Sequence, residues 1–511
     1  VTRVDGRAAR RDLNLRADVV IVGSGPAGSA AAREATRHGA SVIVLEAGRW
    51  IAPHEFPEPA FDAMALSYRS MGASLVVGAA PTPYVQGKMV GGSSPINGAI
   101  CWRMPRNVYD EWITADPALA EGLPWEALEA ATDAIERRLD VRPTEPAIAG
   151  AKNLLLARGA EAIGLAHRPI RRNVTGCEGL GRCMQGCPKG RKNSVDATLL
   201  ADAEAAGATV VSSVEVTRVE TARGRATGLL GVADGGARVS VRADRAVVLA
   251  ASAVQTPALL MRSGLAQGPV GENFQCHPGV SMAGRFPDAV RMWEGATQGH
   301  EVIGLCHEGL KFEALGFDLA IMASRLDGVG RALARALDDL AHQVDWGVAV
   351  RAEARGRVRL LLGRPVVFFS PTERDVARYR RGLRVMGEMM LAAGANHVSP
   401  GVRGFMAQTS RIEDLVALER EGPRGAAAYT SAITHMFGTC RAGSAPRRSV
   451  VRPDLRHHAV DGLYVADSSV FPTNLGVNPQ VPIMAVATLC ARSVLSIDPA
   501  ASFDAAPSAG A

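Results

Sequence analysis

The sequence predicts an α/β fold: a Rossmann-like domain with a mixed-sheet α+β domain inserted into it. Three observations predict it. A buried strand, a glycine turn, an alanine-rich helix and a second buried strand follow one another across residues 17–46. Segments of the same buried-strand type return near 206–219, 245–250 and 462–467, so the first domain resumes late in the chain. Between them, 286–430 alternates in polarity and has few glycine turns, which reads as antiparallel sheet with one long helix. The expected division is 1–285, an inserted 286–430, and a return over 431–511.

The first element is Ala17–Val22, short, apolar and rich in β-branched residues, as a strand buried on both faces requires. The turn Gly23-Ser-Gly25-Pro-Ala-Gly28 follows, then a helix over Ser29–His38 and a strand over Ser41–Leu45 that ends at Glu46. In this context each glycine has a physical task. Gly23 permits a tight turn, Gly25 lets backbone approach a pyrophosphate, and Gly28 lets helix and strand pack closely. The helix start offers unpaired N–H groups to phosphate, and Glu46 is placed to accept ribose hydroxyls. The turn therefore predicts a bound dinucleotide.

Later strands are expected over Ala206–Val211, Val214–Val219, Arg245–Ala250 and Gly462–Asp467, with helices over Thr256–Ser263 and Ile483–Val494. Within the insertion, Val348–Leu362 alternates. Thr372–Ala393 carries Val376, Tyr379, Leu383, Met386 and Met390 on one helical stripe, a core face rather than a ligand box. The tail Ala500–Ala511 is low in complexity and expected to be disordered.

Composition excludes several functions. The chain has 511 residues, 47% apolar and 21% charged, with 57 basic and 51 acidic residues giving a net charge of +6. No run of five Lys or Arg occurs, so nucleic acid is not an expected partner. No stretch of 18 residues is apolar enough to predict a membrane span. Arg10-Arg11 resembles part of an export signal, but the apolar segment after it, Val19–Ala32, is needed by the glycine turn. The chain is therefore expected to be cytoplasmic, although export alongside a partner subunit would leave no trace. The eight cysteines read as thiols or ligands rather than disulfides.

A second glycine-rich stretch, Gly87–Ala99, contains Gly91, Gly92, Ser93, Ser94 and Asn97, as if backbone lay against a flat ligand. With this loop and the first glycine turn, the chain resembles the glucose–methanol–choline (GMC) oxidoreductases. The resemblance is carried in order by Gly23–Glu46, Gly91–Asn97, Ala251–Leu265, Val270–Pro278, Thr434–Arg441, Val465–Asp467 and Gly476–Gln480. No motif in 286–430 contributes to it.

The resemblance implies FAD, so 1–285 and 431–511 would form the FAD-binding domain and 286–430 the substrate domain. Gly91, Gly92, Ser93 and Asn97 would lie along the isoalloxazine ring. Val216 would contact adenine through its backbone. Asp467, with Asn478 and Pro479 at the start of the last helix, would hold the pyrophosphate and pyrimidine side. Some members attach FAD through a histidine where this chain has Pro95, so non-covalent binding is expected.

The catalytic pair implied is His435 and Asn478. Alcohol oxidation removes a hydride from carbon and a proton from oxygen. An imidazole with an ordinary pKa of about 6.5 can take the proton. An amide can orient the hydroxyl by hydrogen bonding without adding charge. His277 is read as structural. The expected reaction oxidises a primary or secondary alcohol to a carbonyl, with hydride passing to flavin N5 and O2 or another acceptor taking the electrons. Sugars, polyols, aminoglycoside-like compounds, sterols and long-chain alcohols all stay open as substrates. The alternatives are a non-redox lyase or decarboxylase on the same fold, and a flavin electron-transfer subunit of a dehydrogenase complex.

Cys177, Cys183 and Cys187 lie in a basic, glycine-rich loop. Thiolates so spaced can hold an iron–sulfur cluster, as the resemblance implies for membrane-linked dehydrogenases of the family. Similar segments occur in relatives resembling long-chain-alcohol and aminoglycoside-type oxidoreductases without one. The favoured reading is a loop of buried thiols over FAD, with no metal. Zinc is disfavoured because His167 and His277 are distant in sequence.

Overall fold

The computed structural model describes residues 3–324, 326 and 329–503. Its first sheet has eight strands. Arg3–Asp5, Thr209–Ser212, Val42–Leu45, Leu13–Val22 and Arg238–Leu249 lie side by side in that order, all parallel. The second half of Arg238–Leu249 also pairs with Leu463–Val465, again parallel. Its first half turns back into an antiparallel meander through Arg225–Ala233 and Val214–Ala222. Val19 to Val22 are almost wholly buried, as expected for a strand covered on both faces.

The helix Pro26–Arg37 starts at the glycine turn and packs against the helix Gln480–Leu495. A buried ion pair joins the two. Arg492 Nε donates to Glu34 Oε1 at 2.7 Å, with both side chains nearly free of solvent. The N-terminal and C-terminal pieces are thus one packed layer on the same sheet.

The second sheet has eleven strands. Gln343–Val350, Arg357–Leu361 and Arg364–Phe368 come from the inserted segment. Others come from outside it: Ser74–Val77, Thr82–Tyr84, His167–Pro169, Gln275–Arg285 and Ser431–Phe437. The sheet therefore reaches beyond 286–430 on both sides. The expected alternating strand over Val348–Leu362 is two strands separated by residues 351–356.

The two faces of this sheet sort by the strand period of two. Val280, Met282, Phe312, Ala314, Trp346 and Val348 pack beneath the helix Glu373–Ala392, into which Val376, Tyr379, Leu383, Met386 and Met390 point. Their alternates Gly279, Ser281, Glu313, Leu315, Gly347 and Ala349 line a cavity of about 710 Å³ shared with the first sheet. The helix Ser252–Arg262 begins four residues earlier than expected and holds Pro257 inside it. Most of the expected disordered tail, residues 504–511, lies outside the described residues. No described helix is long and apolar enough to cross a membrane.

Candidate active site

One end of the cavity is a backbone cradle. Gly23 has φ +96°, and a Cβ there would come within 2.4 Å of the Ala250 carbonyl. A Cβ on Gly28 would sit 1.8 Å from the Gly23 carbonyl, so the helix reaches the strand only without a side chain. Gly25 differs: a Cβ there would meet nothing closer than Gly92 Cα at 3.8 Å. The protein itself does not demand glycine at 25. The open space is on the cavity side, where Gly25 is the last residue before the helix and the first N–H groups of that helix lack intrahelical partners. An anionic group held there fits the cradle.

Glu46, Val216, Gly92, Ser93 and Asn97 line the same cavity. Glu46 Oε2 accepts from Ser24 N at 2.9 Å and Ser24 Oγ at 2.8 Å, while Oε1 accepts from Gly48 N at 2.8 Å. That leaves room for one further hydrogen bond, at Oε1. Gly91 is tied to the first turn by its N–H, which donates to Ser24 Oγ at 3.0 Å. Asn97 Nδ2 donates to Gln480 Oε1 at 3.0 Å, joining the loop to the last helix, where Asn478, Pro479 and Gln480 face the cavity. Asp467 also lines the cavity, but its carboxylate accepts from Ser252 N, Thr256 Oγ1 and Ser469 N. It therefore organises the start of the helix Ser252–Arg262, and burial pushes its pKa up.

The other end of the cavity holds His435, half-buried on the strand Ser431–Phe437. Its Nδ1 lies 3.1 Å from Nδ1 of His277, whose Nε2 accepts from Gly476 N at 2.8 Å. His277, read from sequence as structural, thus sits against the histidine singled out for catalysis. Nε2 of His435 is left without a partner among the described residues. Burial first, and the nearby Lys311 charge second, push its pKa down to about 3.

Lys311 was not anticipated from sequence. It is wholly buried and forms ion pairs with Glu301, at 2.8 Å, and Glu313. Its Nζ also donates to Asn478 Oδ1 at 2.8 Å. Glu301 in turn accepts from Trp102 Nε1 at 2.7 Å and Arg168 Nε at 2.8 Å. The available signal was Leu310-Lys-Phe-Glu-Ala-Leu315, where two charges alternate with apolar residues in one strand. With Oδ1 held by Lys311, the amide Nδ2 of Asn478 is the group left to donate.

Cys177, Cys183 and Cys187 are free thiols, each partly exposed. Among the described residues, no group of three His, Cys, Asp or Glu is placed to hold a metal ion. His167, the remote zinc candidate, pairs with His300 at 2.8 Å.

A dinucleotide cradle that opens onto paired imidazoles beneath a second sheet defines a class, the dinucleotide-dependent oxidoreductases. Models of the GMC oxidoreductase family match residues 17–279 and 352–487. An uncharacterised GMC-type oxidoreductase of Mycobacterium tuberculosis is 35% identical over 94% of this chain and 76% of its own. A long-chain-alcohol oxidase of Arabidopsis thaliana is 28% identical, covering 95% of this chain and 69% of its own. Among solved structures, a formate oxidase of Aspergillus oryzae, studied for FAD modification, superposes with a TM-score of 0.68 at 18% identity, covering 96% and 99%. The chain belongs to the GMC oxidoreductase family, and its dinucleotide is FAD.

Proposed function

We propose that this oxidoreductase acts on an alcohol carbon, with His435 taking the hydroxyl proton and Asn478 orienting the hydroxyl. The observation that carries the reading is the convergence of His435 and the Lys311-held Asn478 on the cavity that also contains the dinucleotide cradle. A relative named as a long-chain-alcohol oxidase supports the donor class. FAD, when bound, supplies a two-electron acceptor for hydride. We read its binding as non-covalent, since Pro95 offers no nucleophile at the attachment position. Gly91, Gly92, Ser93, Asn97, Val216 and Pro479 would hold it, together with the Gly23–Gly28 turn and Glu46. Residues 286–430 would supply much of the substrate wall.

The hydrogen bonds set a condition on the base. Gly476 N–H occupies His277 Nε2, so neutral His277 carries its proton on Nδ1 and donates it to His435 Nδ1. In this resting tautomer His435 carries its own proton on Nε2. To accept a proton there, His435 must move its own proton to Nδ1, and His277 must give up the Gly476 hydrogen bond. That leaves buried N–H donors without an acceptor and costs about 1–3 kcal/mol. General-base catalysis of 10²–10⁴-fold is worth about 3–5 kcal/mol, so the exchange is favourable overall. The low pKa of His435 keeps the ring neutral, hence able to accept, across the ordinary pH range.

The test is anaerobic mixing of the FAD-loaded protein with primary and secondary alcohols of graded length and polarity. Bleaching of the flavin bands by at least one class, with the matching carbonyl recovered, is expected. A flavin that chemical reductant bleaches but no alcohol does would overturn the reading.

A further inference from the structure

Beneath the cofactor loop lies a second charged cluster that the proposed reaction does not use. Arg172 and Lys152 are wholly buried, and Lys192 nearly so. Among the described residues, none of the three forms a salt bridge with a carboxylate. Lys152 Nζ donates to the Glu294 carbonyl at 2.5 Å. Lys192 Nζ donates to the carbonyls of Pro95, Asn97 and Cys183 at 2.7–2.8 Å. Arg172 Nη2 points at Cys183 Sγ at 3.1 Å, and its Nη1 approaches Cys177 Sγ at 3.9 Å. Buried cations without counter-ions are costly. For Arg172 the available anions are the two sulfurs, whereas Lys192 also feels the Asp196 carboxylate and Lys152 that of Glu294, and a guanidinium cannot relieve the cost by giving up its own proton. Cys183 is also partly exposed, and its neighbours Gly181, Met184 and Gln185 line the cavity.

We propose that Cys183 and Cys177 form a peroxide-reactive thiol pair, with Cys183 the attacking thiolate and Cys177 the resolving thiol. The Cys183 sulfur attacks one oxygen of a hydroperoxide and the O–O bond breaks. The departing oxyanion takes a proton from solvent and leaves as water or an alcohol, and Cys183 becomes a sulfenic acid. The Cys177 thiol then attacks that sulfur. An S–S bond forms, and the hydroxyl leaves with the thiol proton as water. Two electrons pass from the two sulfurs to the peroxide. Through Lys192, which also holds the Pro95 and Asn97 carbonyls, the pair adjoins the loop at the FAD cavity.

Burial alone would push the Cys183 thiol up, but Arg172 and Lys192 outweigh it and bring it down to about 7. Against an ordinary thiol near 9, the thiolate fraction at pH 7 rises about fiftyfold, and the lower intrinsic nucleophilicity returns about six- to tenfold of that. A net gain of about five- to eightfold per accessible sulfur remains. The decisive measurement is the pH dependence of Cys183 alkylation in the FAD-loaded wild-type protein, read by peptide mass spectrometry. A half-point near pH 7 is expected, moving toward 9 in Arg172→Met. The second measurement adds stoichiometric hydrogen peroxide. Wild type should give a Cys177–Cys183 disulfide reversed by dithiol, while Cys177→Ser should stop at a Cys183 sulfenic acid trapped by a 1,3-dione. A half-point at or above 9 in wild type, or peroxide oxidation that passes Cys183 by, would overturn the proposal. So would stoichiometric iron with a broad absorbance lost on substituting these cysteines.

Discussion

At the scale of single residues, His435 and Lys311 make separable predictions. Replacing His435 by alanine removes the proton acceptor but none of the cradle. Alcohol-dependent flavin reduction should slow by about 10²–10⁴-fold, with FAD content unchanged by absorbance; rapid reduction in His435→Ala would remove it from the mechanism. Lys311 acts through its neighbours. Its positive charge helps depress the His435 pKa, and it fixes the Asn478 amide. In Lys311→Met the depressing charge is gone, and Glu301 and Glu313 are left beside the site without their shared cation. The His435 pKa must then rise. A base is lost as pH falls through its pKa, so the acid limb of kcat should move to higher pH. A purely structural role would lower kcat at every pH without moving that limb.

At the scale of elements, the glycine turn divides into positions the fold needs and one the cofactor needs. A methyl at Gly28 would overlap the Gly23 carbonyl, whereas at Gly25 it would project into the cavity. Gly28→Ala should lower the melting temperature of the FAD-free protein. Gly25→Ala should leave that temperature unchanged and weaken FAD at least tenfold in a fluorescence titration. Equal effects at both positions would deny the distinction. The same elements show what could be read from sequence. The strand–turn–helix unit was legible because buried parallel strands, a glycine pattern and helix propensity all act locally. His435 and Asn478 were legible because short motifs surround them. The His277–His435 contact joins residues 158 apart in sequence and belongs to the pairing of Gln275–Arg285 with Ser431–Phe437. No local pattern encodes that register. Lys311 was hidden for a similar reason: a charged residue in a strand reads as solvent-facing until the second sheet turns it toward Glu301 and Asn478. The wider reach of that sheet went unseen because strands such as Thr82–Tyr84 and His167–Pro169 span only three residues each.

At the scale of the whole molecule, distant pieces of chain are held by buried charge, and burial sets the response to pH. Arg492 and Glu34 join the last helix to the first, and the same guanidinium also donates to the carbonyls of Pro499, Ala501 and Ser502. Arg492→Met leaves Glu34 buried without its closest partner, so a loss of about 3–5 kcal/mol is expected in denaturant unfolding; a loss below about 1 kcal/mol would mean that Arg37 and His38, which lie 3.8 Å and 3.3 Å from the same carboxylate, take over. The histidines act in concert. Burial is the leading cause in each case: it pushes His300 and His457 down to about 4, His435 to about 3, and His277 and His458 down as well. Each is therefore neutral when folded at a pH where the unfolded chain, with histidine pKa values near 6.5, is already protonated. Between pH 6.5 and 4 the unfolded state binds more protons at these sites, so stability falls as pH falls. A buried histidine with a folded pKa of 4 contributes about 3 kcal/mol to that loss by pH 4. Asp196 and Asp467, whose carboxyls burial pushes up, oppose the trend at its acid end, because the folded state holds their protons longer. The five histidines outnumber them, so the net slope should keep its sign. Melting temperature should drop steadily from pH 6.5 to 4, with net proton uptake on unfolding seen by calorimetry in buffers of different ionisation enthalpy. The slope should shrink in His300→Gln, which removes one titrating group, paired with His167 rather than with His435 or Asn478. A melting temperature that stays level over this range, with no proton uptake, would show that these imidazoles are charged in the folded protein and that the neutral His277–His435 pair does not exist.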